Sequence, residues 1–157
     1  VMRDRASIYS KLTIECNRPD VQGMVQRNQG KILHVASTAA FLLGPLQAVY
    51  YATKSFVLSF SQVIAQELSK TNVTSTVLCP GPVATGFVAA GDLEGNALWE
   101  NAATPESVAQ CGYEAMEKGE LVKINERQLS FMMNWVVPFM PRKAVLKMSQ
   151  WSMEKRE

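Results

Sequence analysis

The sequence predicts an α/β layered domain built on a parallel sheet, and three observations carry that reading. Two short, almost uninterrupted apolar runs, Lys31 to Ser37 and Val73 to Cys79, read as strands buried on both faces. Between them, from about Ala48 to Lys70, lies a long stretch with one apolar face, which reads as a crossover helix. A second helix signal and a third apolar run follow, giving the order strand, helix, strand, helix, strand that parallel sheets with right-handed crossovers produce.

The elements are justified in chain order. Residues 1–22 show no clear period, and Cys16 to Asp20 reads as a turn. Val21 to Arg27 reads as the last turns of a helix, ended by Asn28-Gln29-Gly30, with Gly30 expected to take a positive φ. His34, inside the first strand, is expected to be a core histidine with its hydrogen bond satisfied. Thr38 to Gln47 reads as a loop broken at Gly44-Pro45. On the long helix, Phe56, Val57, Phe60, Val63, Ile64 and Leu68 recur at spacings of three and four, and Thr71-Asn72 stops it. Val73 to Cys79 is rich in β-branched residues. Pro80-Gly81-Pro82 must leave the ladder, because proline cannot donate to it. Gly86 to Ala103 has no strong period. Thr104-Pro105-Glu106 offers an N-cap, a proline at the first helical position and a carboxylate at the positive end of the dipole. That helix is expected to run to about Lys118 and end at Gly119, with a short strand over Leu121 to Ile124. Arg127 to Glu157 reads as helical, broken near Pro138 and Pro141.

Composition narrows the function classes. The chain has 157 residues, 47% apolar and 19% charged, which is globular rather than disordered. A net charge of +2 with both signs interspersed gives no argument for nucleic acid. Cys16, Cys79 and Cys111 form no C-x-x-C pair, and with one histidine they do not suggest a metal site; free thiols in a reducing, cytoplasmic setting are expected. The start of the chain has no apolar signal-peptide core. The most apolar run, Leu129 to Met140, is too short to span a bilayer.

In sheets of this kind, chemistry gathers at the carboxyl ends of the strands. Ser37 ends the first strand. Tyr50 and Lys54 open the following helix, one turn apart and on one face. Pro80-Gly81-Pro82-Val83-Ala84-Thr85 follows the second strand. Each feature alone is weak, since Tyr-x-x-x-Lys usually sits on a solvated helix face and a strand-end serine is usually a turn residue. The combination is specific: serine thirteen positions before tyrosine, lysine four after it, and Pro-Gly-x-Val-x-Thr about thirty residues on.

This order and spacing resembles the short-chain dehydrogenase/reductase family. The similarity extends through Gly30 to Thr38, Tyr50 to Lys54 and Leu78 to Thr85; it is strong from about Met24 to Phe87 and weaker through Phe139 to Lys143. The resemblance implies a Rossmann-like, doubly wound parallel sheet and an NAD(P)-dependent oxidoreductase acting on a carbonyl or secondary alcohol. It implies Tyr50 as general acid/base, Ser37 as the hydrogen-bond donor to the substrate oxygen, and Lys54 as support for Tyr50 and holder of the nicotinamide ribose. Tyr50, Lys54, Pro80, Gly81, Val83 and Thr85 would contact the cofactor, expected to be NADP or else NAD. Ser37, Ala39, Phe41 and Leu42, together with the Gly86–Ala103 segment and the Met-rich tail, would line a substrate pocket for a small apolar carbonyl or alcohol. Tyr51 is expected to pack elsewhere.

The family's Thr-Gly-x-x-x-Gly-x-Gly phosphate turn is absent: none of the nine glycines forms it. The family's asparagine in the preceding helix would fall near Tyr9. The expectation is therefore one incomplete Rossmann-like domain over 1–157, with 1–22 matching poorly, 24–125 as the catalytic half and 126–157 as a C-terminal helical extension. A truncated product without detectable activity of its own follows, and an inactive remnant serving as a helix-mediated interaction module is the competing reading. Homo-oligomers through the Tyr50 helix are expected for the full-length parent. The Leu129–Met140 run with its basic flank also permits a weak membrane-surface contact, although packing over the pocket is the preferred reading.

Overall fold

The structure, a computed structural model, describes residues 21–85 and 102–153. Its sheet has three parallel strands in the order β1 (Gly30–Val35), β2 (Val73–Leu78) and β3 (Val122–Lys123). Helix α1 (Ala48–Glu67) connects β1 to β2, and α2 (Pro105–Lys118) precedes β3. The expected strand and helix order is present, with ends shifted by up to three residues.

Register explains how helices come to cover both faces. β1 and β2 pair with Ile32 opposite Ser75 and His34 opposite Val77, so these four side chains share one face. That face meets α1: His34 Nδ1 lies 3.0 Å from Ser61 Oγ, which lies 3.0 Å from Ser75 Oγ. Lys31 and Leu33, with Thr74 and Thr76, share the other face. There Lys31 Nζ reaches Glu117 of α2 at 2.8 Å. A Cβ at Gly112 would come within 2.7 Å of Leu78 Cδ2, so α2 needs a glycine to lie this close to the sheet.

Capping follows the sequence at α2. Thr104 accepts from the Ser107 N–H, Pro105 opens the helix, and Gly119 closes it at φ 66°. Before β1, residues 21–26 are helical. Here Asn28, at φ 50°, takes the left-handed turn expected of Gly30, and its Oδ1 accepts the Asn72 N–H at 2.9 Å. Gly30 instead begins β1, where any Cβ would run into Met24.

The buried stripe of α1 also differs from the expected one. Val57 and Leu68 are buried, but Val63 is 52% exposed, and Tyr51 and Ser61 take buried positions instead. The stripe turns because Ser61 is drawn under the sheet by His34 and Ser75. After β3, the chain forms α3 (Arg127–Phe131), a π-helical turn Met132–Val136, a 3-10 turn Val137–Phe139 and α4 (Arg142–Met153). Pro138, which has no N–H to donate, sits where the helix tightens. Met133, Val137 and Val145 join Ala36, Val57, Val77, Cys79 and Ile124 in the main core.

His34 is a core histidine, as expected, but only half satisfied. Its Nε2 has no partner among the described residues, and the ring packs edge-on to Phe60. Burial holds the imidazole below its ordinary value. The unfolded chain thus takes up a proton more readily than the folded one. The contribution of His34 to stability is complete above about pH 6.5 and shrinks as pH falls below that, until the folded imidazole itself protonates. Urea midpoints are expected to drop between about pH 7 and pH 5. A large part of that drop should disappear in His34→Asn, and an identical pH profile in the variant would contradict this assignment.

Candidate active site

The backbone ladder between the first two strands runs on beyond their ends. Ala36 N–H donates to Leu78 O and Thr38 N–H to Pro80 O, each at 2.8 Å. Ser37 is clamped between these two bonds. Extended at φ −173°, it caps the 3-10 turn Thr38–Phe41; its Oγ accepts from Ala39 N–H at 3.2 Å and donates to Pro80 O at 3.4 Å.

Helix α1 is tied to the same region twice. Ser55 Oγ donates to Ala40 O at 2.9 Å, and Lys54 Nζ donates to Val35 O at 3.3 Å. The Lys54 ammonium stands 5.8 Å from the Tyr50 ring centroid. Burial pushes Lys54 below its ordinary value, with the Cys79 thiol acting the other way. Burial also pushes Cys79 up to about 12, against the opposing pull of the Ser37 backbone and Lys54, so this thiol stays protonated and is no nucleophile.

The two adjacent tyrosines are separated by their surroundings. Their rings meet edge to face, with centroids 5.9 Å apart. Tyr51 is 6% exposed, and burial together with Tyr50 pushes it up to about 12. Gly44 lies against its ring with no room for a Cβ. Tyr50 is half-buried and has the cation beside it.

The turn after β2 is fixed from two sides. Gly81 N–H donates to Asn125 Oδ1 at 2.9 Å. Ala84 N–H donates to Ala103 O at 2.9 Å, and Ala103 N–H donates to Pro82 O at 3.0 Å. A Cβ at Gly81 would come within 2.6 Å of Leu129 Cδ1, so the C-terminal segment closes directly onto this turn.

These elements enclose a cavity of about 490 Å³ at the carboxyl end of the sheet. Ser37, Ala39, Leu42, Tyr50, Pro80, Gly81, Val83 and Thr85 all line it, as does buried Tyr51. Lys54 is off the wall, with its ammonium turned to Val35 O. Phe41 is off it too: expected at the pocket, it packs against the core instead. Tyr9 and residues 86–101 of the expected pocket segment lie outside the described residues. Leu129 and Met133 are on the wall, where the Leu129–Met140 run is expected to pack; sequence reasoning missed Gln47 on the wall and Asn125 behind it. Asn125 follows β3, so extending the carboxyl-end rule to the third strand would have found it.

The sequence signature of the family described as short chain dehydrogenase matches residues 10–94, more than half of the chain. The chain belongs to that family. A D-beta-hydroxybutyrate dehydrogenase from Cupriavidus necator is 31% identical over 104 residues, covering 66% of this chain and 40% of that protein. The fold is similar to that of a 7beta-hydroxysteroid dehydrogenase, with a TM-score of 0.77, 20% identity and coverage of 90% of this chain and 56% of the other. It is also similar to a short chain dehydrogenase from Burkholderia cenocepacia in complex with NADP, with a TM-score of 0.75, 17% identity and coverage of 92% and 58%. The chain spans less than half the length of the curated relatives it matches. The Rossmann-like parallel sheet inferred from sequence is thus the fold of the family. No helix among the described residues is long and apolar enough to cross a membrane.

Removing the Asn125 amide leaves the part-buried Gly81 N–H without its acceptor. Asn125→Ala is expected to cost about 1 kcal/mol, read as a lower urea midpoint. An unchanged midpoint would show that the turn is held by the Ala103 bonds alone.

Proposed function

We propose that the protein is an NAD(P)-dependent oxidoreductase that interconverts a carbonyl and a secondary alcohol. The carrying observation is that the Ser37 hydroxyl and the Tyr50 phenol line one largely apolar cavity, with the Lys54 ammonium beside Tyr50. Tyr50 is the general acid in reduction and the base in oxidation. The neighbouring Lys54 cation favours the phenolate. Tyr51, which burial pushes up to about 12, is unsuited to the task. Ser37 donates a hydrogen bond to the substrate oxygen in place of its long bond to Pro80 O.

The residues present fit the nicotinamide end of the cofactor, which would supply the hydride when bound. Lys54 spends one N–H on Val35 O and has two more to offer ribose hydroxyls. The Pro80–Thr85 turn is held firmly at the cavity, where Pro80, Gly81, Val83 and Thr85 would lie along the ring. The cofactor is NADP or NAD, with NADP preferred; the similar structures include complexes with NADP, NADPH and NADH. The substrate is a small apolar ketone or alcohol, in keeping with Ala39, Leu42, Val108, Leu129 and Met133 on the wall. Free thiols at Cys79 and Cys111 suit the reducing cytoplasm. Homo-oligomers of the full-length parent through α1 draw support from the exposed Val63 on that helix. A second reading, an inactive interaction module, has one feature in its favour: no glycine of these 157 residues belongs to a phosphate-binding turn.

Activity is assayed with NADPH and NADH on apolar ketones in the longest natural form of the polypeptide. Tyr50→Phe is expected to abolish turnover while cofactor binding persists; retention of more than a few per cent would remove Tyr50 as the acid. Ser37→Ala is expected to lower kcat by about a hundredfold or more, the usual effect of losing one donor to the developing oxyanion. Wild-type protein that binds neither cofactor would favour the interaction module.

A further inference from the structure

The segment that closes the cavity has a second side that the proposed chemistry does not use. Leu129 and Met133, four residues apart, face the cavity. Offset from them by two positions, about half a helical turn, Phe131 is 64% exposed and Trp135 is 66% exposed. Phe139, the next at the same spacing, is 80% exposed. Arg127 stands one step before Phe131 in this series, and Arg142 and Lys143 lie three and four residues after Phe139. The charge of the region is one-sided: residues 127–151 contain Arg127, Arg142, Lys143 and Lys147 and no aspartate or glutamate, whereas the whole chain has a net charge of only +2.

Three large rings in a row are costly in water and are unusual on a free surface. Aromatic side chains flanked by lysine and arginine match the boundary of a bilayer, where rings settle at headgroup level and cations meet anionic lipids. The run is too short and too interrupted to span, which leaves lying on the surface as the geometry open to it. We propose that the ridge Phe131–Trp135–Phe139, with Arg127, Arg142 and Lys143, docks the protein onto an anionic lipid surface. The binding is peripheral and reversible, and it is independent of whether the cavity reduces a ketone.

Vesicle flotation tests this with the purified chain, using phosphatidylcholine vesicles with and without about 30% phosphatidylglycerol, at low and raised salt. The chain is expected to float with the anionic vesicles and to be released by salt. In a Trp99→Phe, Trp151→Phe background, the emission of Trp135 should shift to the blue on binding. Trp135→Ser with Phe139→Ser should weaken partitioning about tenfold or more, and Arg142→Glu with Lys143→Glu should do likewise. These side chains are exposed, so circular dichroism should report an unchanged fold in both pairs. A folded chain that ignores anionic vesicles, or variants that bind as the parent does, would overturn the proposal. So would sedimentation showing that the ridge holds two copies together, with the parent dimer indifferent to lipid.

Discussion

The site depends on one constraint, the continuation of the β1–β2 ladder beyond the strands themselves. The bonds from Ala36 to Leu78 and from Thr38 to Pro80 hold two chain segments side by side where both would otherwise become free loops. Because they flank Ser37, its backbone cannot rotate, and the hydroxyl direction is settled by the extended φ and the 3-10 turn it caps. The prolines at 80 and 82 can then leave the sheet without loosening it, since Pro80 contributes only its carbonyl and needs no donor of its own.

Helix α1 is held to this ladder at three heights. Lys54 meets the Val35 carbonyl, Ser55 meets Ala40, and Ser61 meets His34 and Ser75. The upper two contacts place Tyr50 relative to Ser37; the lowest is a buried polar network in which every shift of the helix would leave another group unpaired. The helix that carries the phenol is therefore positioned by directional bonds as well as by apolar packing, which alone would tolerate sliding.

Much of this was legible in the sequence because local signals and the global arrangement agree. Thr104, Pro105 and Gly119 bound α2 by backbone chemistry that acts within a few residues, and the apolar runs mark the first two strands. The expectations that failed were those decided by tertiary neighbours. Gly30 did not need a positive φ, because Asn28 could take the turn while its side chain reached Asn72. Val63 lost its place in the buried stripe to Ser61, a polar residue that no hydrophobic pattern would select. The contribution of Asn125 rests on a contact spanning 44 positions, and spacing rules carry no information at that range.

The segment after β3 interleaves two sets of positions: Leu129 and Met133 toward the cavity, Phe131 and Trp135 toward solvent. Selection can therefore act on the two sets separately. Substitutions at the inner pair change the cavity wall and leave the outer surface as it was, while changes at the outer pair alter the exposed surface without touching the wall. A stretch of seven residues from Leu129 to Trp135 thus offers two independent routes of divergence, one through the shape of the interior and one through the character of the exterior.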